Sequence, residues 1–175
     1  MTGEFRTEVE LSEYITEIIR TTINDKNLEV FFKLEVSAPG CIPDMVLVEE
    51  RAHSIHYLIA IEFKLSNWRK AISQAFRYRN FGNESYVILD RKRANSAINN
   101  IEMFKRANVG LITVENFGEL VSWFSPIPAL PFSREFSYKV ACSILSPRIP
   151  ANDGMLFTTD VKQESSIYKL REIWA

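Results

Sequence analysis

Cysteine and histidine are scarce in this chain, with two of each among 175 residues. Cys41 and Cys142 can form one bridge at most, which excludes a disulfide-built scaffold and leaves reduced core thiols as the expectation. His53 and His56, without a cysteine cluster beside them, exclude a zinc site of the usual make-up and are expected in a surface loop. No uninterrupted apolar run approaches the roughly 18 residues of a membrane span, and the start, MTGEFRTEVE, is acidic with neither a basic n-region nor an apolar h-region. These absences predict a cytoplasmic protein without membrane contact. Repeats, low-complexity tracts and linkers are missing from residues 1–125, so one compact domain is expected. Residues 126–175 read as an extension packed on that domain, because a separate unit of some 50 residues would be marginal alone.

What is present is a charge asymmetry hidden under a net charge of -1. Residues 1–64 hold six Lys/Arg against twelve Asp/Glu, residues 65–106 hold nine against three, and residues 107–175 hold six against seven. The middle third is therefore six charges positive. Its Arg69, Lys70, Arg77, Arg79, Arg91, Lys92, Arg93, Lys105 and Arg106 form either a face for a polyanion or a solvated surface.

The periodicity predicts an α/β (α+β) fold in the order helix, three strands, helix, strand, helix, strand, with a mixed central sheet flanked by helices. Leu11, Ile15, Ile18, Ile19 and Ile23 recur at helical spacing over 5–23. LEVFFKLEVS alternates as a half-buried strand before the turn APG, and CIPDMVLVEE and YLIAIEFKL read as two more strands joined by a polar loop around RAHS. Beyond Ser66, Trp68, Ala71, Ile72, Ala75, Phe76 and Tyr78 lie on one side of a helix, which places Trp68, Phe76 and also Phe81 in the core. SYVILD is a strand, SAINNIEMFKRA a helix and GLITVE a strand. SPIPALPFS reads as an extended connector, SREFSYKVACSIL as a helix capped by Ser133, and SSIYKLREIW as a short terminal helix.

One strand carries charges where its pattern asks for apolar residues. Side-chain alternation sets Leu58, Ala60, Glu62 and Lys64 on one face and Ile59, Ile61, Phe63 and Leu65 on the other. Asp44 sits in similar company on the preceding strand, after Pro43. If the two strands pair as a hairpin, the carboxylates of Asp44 and Glu62 converge at the end of the sheet. Desolvating two carboxylates needs a compensating partner, and a divalent cation supplies one. Oxygen ligands from two strands, with a backbone carbonyl and waters, suit Mg²⁺ or Mn²⁺ and leave positions for a phosphate. Lys64, one strand step on, can hold or help deprotonate an attacking water and offset charge on phosphorus. In isolation, the Glu62–Lys64 pair also reads as an ion pair with exposed ends.

Pro43-Asp44 and Glu62-Phe63-Lys64, seventeen residues apart, together with the element order, resemble the PD-(D/E)XK nuclease superfamily with its restriction-endonuclease-like fold. The resemblance covers about residues 4–114. It implies a core of helix, three strands, helix and strand, Asp44 and Glu62 as Mg²⁺ ligands with the Phe63 carbonyl, and Lys64 as the water-orienting group. It also implies a glutamate on the first helix reaching the metal. The helical wheel selects Glu8 for that role, with Glu4 in reserve, because Glu10, Glu13 and Glu17 face outward. QAFRY, residues 74–78, is similar to the QxxxY signature of the exonuclease-like branch. That likeness implies Gln74 orienting a catalytic carboxylate and Tyr78 touching a phosphate or base.

The resulting expectation is a metal-dependent nuclease acting on DNA, RNA being open as well, with Arg69, Lys70, Arg77, Tyr78, Arg91, Lys92 and Arg93 binding nucleic acid. The alternatives are a catalytically inactive nuclease-fold module that binds nucleic acid or assembles into a larger complex, and an acid/base enzyme using Asp44 and Glu62 as paired carboxylates. Cutting both strands of a duplex often uses two sites, so a homodimer is compatible with the sequence.

Overall fold

The structure, a computed structural model, describes residues 5–52, 54–115, 118–146 and 165–174. Glu4 and His53 lie outside the described residues. The first helix, α1 (Glu8–Asp25), starts where the Thr7 side chain accepts a hydrogen bond from the Glu10 amide. It buries Leu11, Ile15 and Ile19, the stripe expected from their spacing.

Three antiparallel strands follow: β1 (Val30–Leu34), β2 (Met45–Arg51) and β3 (Ser54–Lys64). The connection after β2 is shorter than the expected polar loop, and His56 lies within β3 rather than in that loop. Helix α2 (Trp68–Arg77) then crosses over to β4 (Glu84–Asp90), which pairs parallel to β3. The second crossover is two helices, α3 (Asn95–Asn99) and α4 (Ile101–Ala107), separated at Asn100, where one continuous helix was expected. It leads to β5 (Gly110–Glu115), parallel to β4.

A sixth strand that the pattern did not reveal, β6 (Glu119–Phe124), closes the sheet antiparallel to β5, so that the strands stand in chain order. The connector expected at 125–133 is tied back by Asn83, Asn108, Arg79 and Asn80. Helix α5 (Arg134–Leu145) is capped by Ser133, whose hydroxyl accepts from the Phe136 amide, and α6 (Ser166–Arg171) is capped by Ser165.

The six-stranded mixed sheet is flanked by helices on both faces. Val46, Val48, Leu58, Ala60, Val87 and Leu89 pack with Trp68, Ala75, Phe104 and Val140 on one side. Met45, Leu47, Ile59, Ile61, Phe63, Tyr86 and Ile88 pack with Leu11, Ile15, Ile19, Ile167 and Trp174 on the other. Every residue of β4 is buried, as a parallel strand covered on both faces requires. Trp68 and Phe81 lie in the core, whereas Phe76 is 45% exposed, contrary to the wheel reading. Among the described residues no helix is long and apolar enough to cross a membrane. Both cysteines are free and half-buried.

Candidate functional site

The antiparallel ladder of β2 and β3 ends with Met45 opposite Ile61, and Asp44, just before β2, comes close to the end of β3, where the charges of Glu62 and Lys64 act on its carboxyl. Asp44 is held by two neighbours. Its carbonyl accepts from the Glu35 amide at 2.9 Å, and its Oδ2 accepts from the Phe63 amide at 2.7 Å. Phe63 thus orients Asp44 through its amide, while its carbonyl accepts from Lys64 Nζ at 3.1 Å.

Glu62 is only 1% exposed, and both of its carboxylate oxygens are engaged. Lys64 Nζ pairs with Oε1 at 3.0 Å, and the Tyr78 hydroxyl donates to Oε2. Tyr78 belongs to a 3-10 turn that directly follows α2, so the crossover helix delivers it to the strand. The phenol is itself buried, which removes Tyr78 as a contact for a phosphate or base and gives it a positioning task instead. Lys64 Nζ also donates to Glu8 Oε2 at 3.1 Å, which joins α1 to the end of β3.

Burial pushes the Asp44 carboxyl up from 3.8 to about 6, and the nearby charges of Glu62 and Glu8 add to that rise. The Phe63 amide and the Lys64 ammonium oppose it without cancelling it. Burial alone would lower the Lys64 amine, but the hydrogen bond and charge of Glu62, the hydrogen bond of Glu8 and the charge of Asp44 raise it overall. Lys64 is therefore charged at neutral pH. Burial raises the Tyr78 phenol, with Glu62 reinforcing the shift, so Tyr78 remains a donor.

Cys41 belongs to this neighbourhood although nothing in its spacing marked it. Its thiol is raised by burial first, lowered by Arg77 and raised by Glu62, which sets thiol, guanidinium and carboxylate in one electrostatic environment. Gln74 Oε1 is buried without a hydrogen-bond partner among the described residues, one helical turn before Tyr78.

Asp44, Glu62 and the Phe63 carbonyl are hard oxygen donors of the kind that suits Mg²⁺ or Mn²⁺. Among the described residues no group of three or more His, Cys, Asp or Glu is placed to hold a metal, so a cation here would complete its shell with waters or a phosphate. The donor chemistry fits such an ion. The Gln74 oxygen, buried and without a partner among the described residues, is a further acceptor on the helix that leads to Tyr78.

The basic residues are placed unequally. Arg69, Lys70, Arg77, Lys92 and Arg93 are exposed. Arg91 instead pairs with Glu115 at 3.1 Å, donates to Asn95 at 2.6 Å and lies 5.5 Å over the Trp123 ring. It is committed to the protein. The reach of β5 to Glu115 produces that pair, and residue spacing around Arg91 gives no hint of it.

No family model matches the chain, and no curated protein matches it. Among solved structures it is similar to a Silicibacter pomeroyi protein of unknown function, at 17% identity and a TM-score of 0.44, over 75% of this chain and 87% of that one.

Another buried carboxylate, Glu84, lies on the opposite face of the sheet and was not marked by the sequence pattern. Glu84 accepts from the Tyr57 hydroxyl at 2.5 Å, the Tyr86 hydroxyl at 2.6 Å and Arg171 at 3.1 Å. The available signal was a glutamate opening a strand whose middle, Tyr86 to Leu89, is apolar or aromatic, with a second tyrosine, Tyr57, on the neighbouring strand. Its oxygens are satisfied by protein donors, which marks it as an anchor for the C-terminal helix.

Proposed function

We propose that this chain is a Mg²⁺- or Mn²⁺-dependent phosphodiesterase that cuts DNA, with Asp44, Glu62 and Lys64 at its centre. The observation that carries this reading is the meeting of the three side chains at adjoining strand ends, locked by the Phe63 amide and the Tyr78 hydroxyl. Asp44, Glu62 and the Phe63 carbonyl would hold the ion. A divalent cation bound there supplies Lewis acidity and a water more easily deprotonated at neutral pH.

The chain's own residues divide the remaining work. Lys64, charged and pinned by Glu62 and Glu8, donates to a water or to a non-bridging phosphate oxygen; its raised amine makes it an orienting and charge-offsetting group rather than a base. Glu8 steadies that ammonium. Tyr78 fixes the rotamer of Glu62, and Gln74, with its unpartnered oxygen, is available to a ligand water. Exposed Arg69, Lys70, Arg77, Lys92 and Arg93 supply phosphate contacts that weaken with salt.

The test incubates linear, circular and branched DNA, and RNA of matched length, with Mg²⁺ or Mn²⁺ and the protein, beside Asp44→Ala and Lys64→Ala. Cleavage by the wild type reduced about 100-fold or more in each variant supports the proposal. Equal cleavage in all three removes it, and cleavage confined to RNA corrects the substrate.

One observation favours a second reading, the inactive nuclease-fold module that binds nucleic acid or joins a larger complex. Glu62 already has both oxygens occupied by protein donors. Salt-sensitive DNA binding without any Mn²⁺ binding would select that module.

A further inference from the structure

Helices α2 and α4 leave a groove between them on the outer side of the sheet layer. It is wide open to solvent, measures about 430 Å³ and is lined by Ile72, Ser73, Phe76, Met103, Arg106 and Ala107. Phe76 is 45% exposed and Met103 43%, so a benzyl ring and a thioether stand open to solvent across the groove from each other.

The charge around it selects the occupant. Helix α2 carries Arg69, Lys70 and Arg77 and no acidic residue. On α4, Glu102 is taken up by Lys105 at 2.7 Å, while Arg106 lines the groove without an ion pair to a described residue. An open apolar groove with the Arg106 guanidinium in its lining and the basic helix α2 along one side fits a flat aromatic ring attached to an anionic backbone. The ring stacks on Phe76 and contacts the Met103 sulfur, and the guanidinium meets the phosphate or the ring face. An acidic peptide would satisfy the cations but leaves the ring without a matched partner.

We propose that this groove binds an unpaired nucleobase, so that the protein engages strands with single-stranded character, such as ends, gaps or flaps. Bases in a duplex are stacked and paired inside the helix and cannot enter a cleft of this kind, so the preference for unpaired strands follows from the geometry. The groove and the candidate centre share α2: Phe76 opens outward from its last turn, and Tyr78, just beyond, holds Glu62. The inference rests on the nucleic-acid part of the proposed function and not on its metal chemistry.

The test is fluorescence anisotropy with a labelled oligothymidylate and a duplex of equal length, in low salt with EDTA. Wild type is compared with Phe76→Ala, Phe76→Trp and, as a control on the other face, Tyr168→Ala. The expected result is single-strand binding weakened about tenfold or more by Phe76→Ala, with little change on duplex. Phe76→Trp restores the affinity, and its added indole emission is quenched by the oligonucleotide. Tyr168→Ala binds like wild type. Equal single-strand affinity in wild type and Phe76→Ala overturns the inference, as does an equal loss on duplex, or sedimentation that shows Phe76 mediating self-association. Because EDTA removes the metal, failure of cleavage elsewhere leaves this result readable by itself.

Discussion

Asp44 is the residue at which folding and the proposed chemistry pull in opposite directions. Its carboxyl ordinarily titrates near 3.8 and rises to about 6 in the folded chain, chiefly through burial. A raised acid means that the folded state holds the proton more tightly than the unfolded chain. The penalty of ionised Asp44 is absent below about pH 4, grows between about pH 4 and pH 6, and is complete above that window. Asp44→Asn is therefore expected to be more stable than wild type at pH 8, by about 1 kcal/mol after allowance for solvent screening, with the gap closing at pH 4. Urea titrations at both pH values check this, and an Asn variant less stable at pH 8 contradicts it. Tyr78→Phe leaves a buried Glu62 oxygen without its donor, and thermal unfolding should show a loss of about 1–3 kcal/mol. The approach of Asp44 to Glu62 was legible because strand alternation and a hairpin are local geometry. The direction of Tyr78 was not, since it depends on how the 3-10 turn after α2 swings the ring toward β3. Phe76 misled for a related reason: the wheel shows which side of α2 is apolar, but not how far α4 covers it.

Element by element, the strongly periodic segments were readable and the edges were not. α1, β3 and β4 have long apolar patterns and stand where the sequence places them. β6 escaped because an edge strand with one fully buried residue, Leu120, and an exposed Trp123 lacks clean alternation. The single helix expected over 96–107 is divided at Asn100, whose amide donates to the Ser96 carbonyl at 2.8 Å. A position inside a strand shows how tightly these elements meet. A Cβ added at Gly110 would lie 2.1 Å from the Tyr86 ring, and that ring is tethered by its hydroxyl to Glu84. Gly110→Ala should cost about 1–3 kcal/mol, read as a lower denaturation midpoint; an unchanged midpoint would show that the ring can move aside.

Across the whole molecule, two apolar layers hold the sheet between them, and the C-terminal helix completes one of them. Ile167, Leu170 and Trp174 pack into the α1 layer. Arg171 reaches Glu84, and the Ser166 amide donates to buried Glu49 at 2.8 Å. The sequence showed that a helix was present near the end, but not that two buried carboxylates of the sheet depend on it, because those contacts span 87 and 117 positions. Arg171→Met should destabilise the whole domain by about 3 kcal/mol by stranding Glu84, in one cooperative unfolding transition. A separate early transition of the C-terminal segment would contradict that. The same architecture fixes the ends of β2 and β3, and with them the central claim that Asp44 and Glu62 grip one divalent cation. Titration calorimetry with Mn²⁺ measures this most directly. The account predicts one site in the wild type, lost in Asp44→Ala and in Glu62→Ala and retained in Lys64→Ala. No binding by the wild type, or equal binding by wild type and both carboxylate variants, would contradict it.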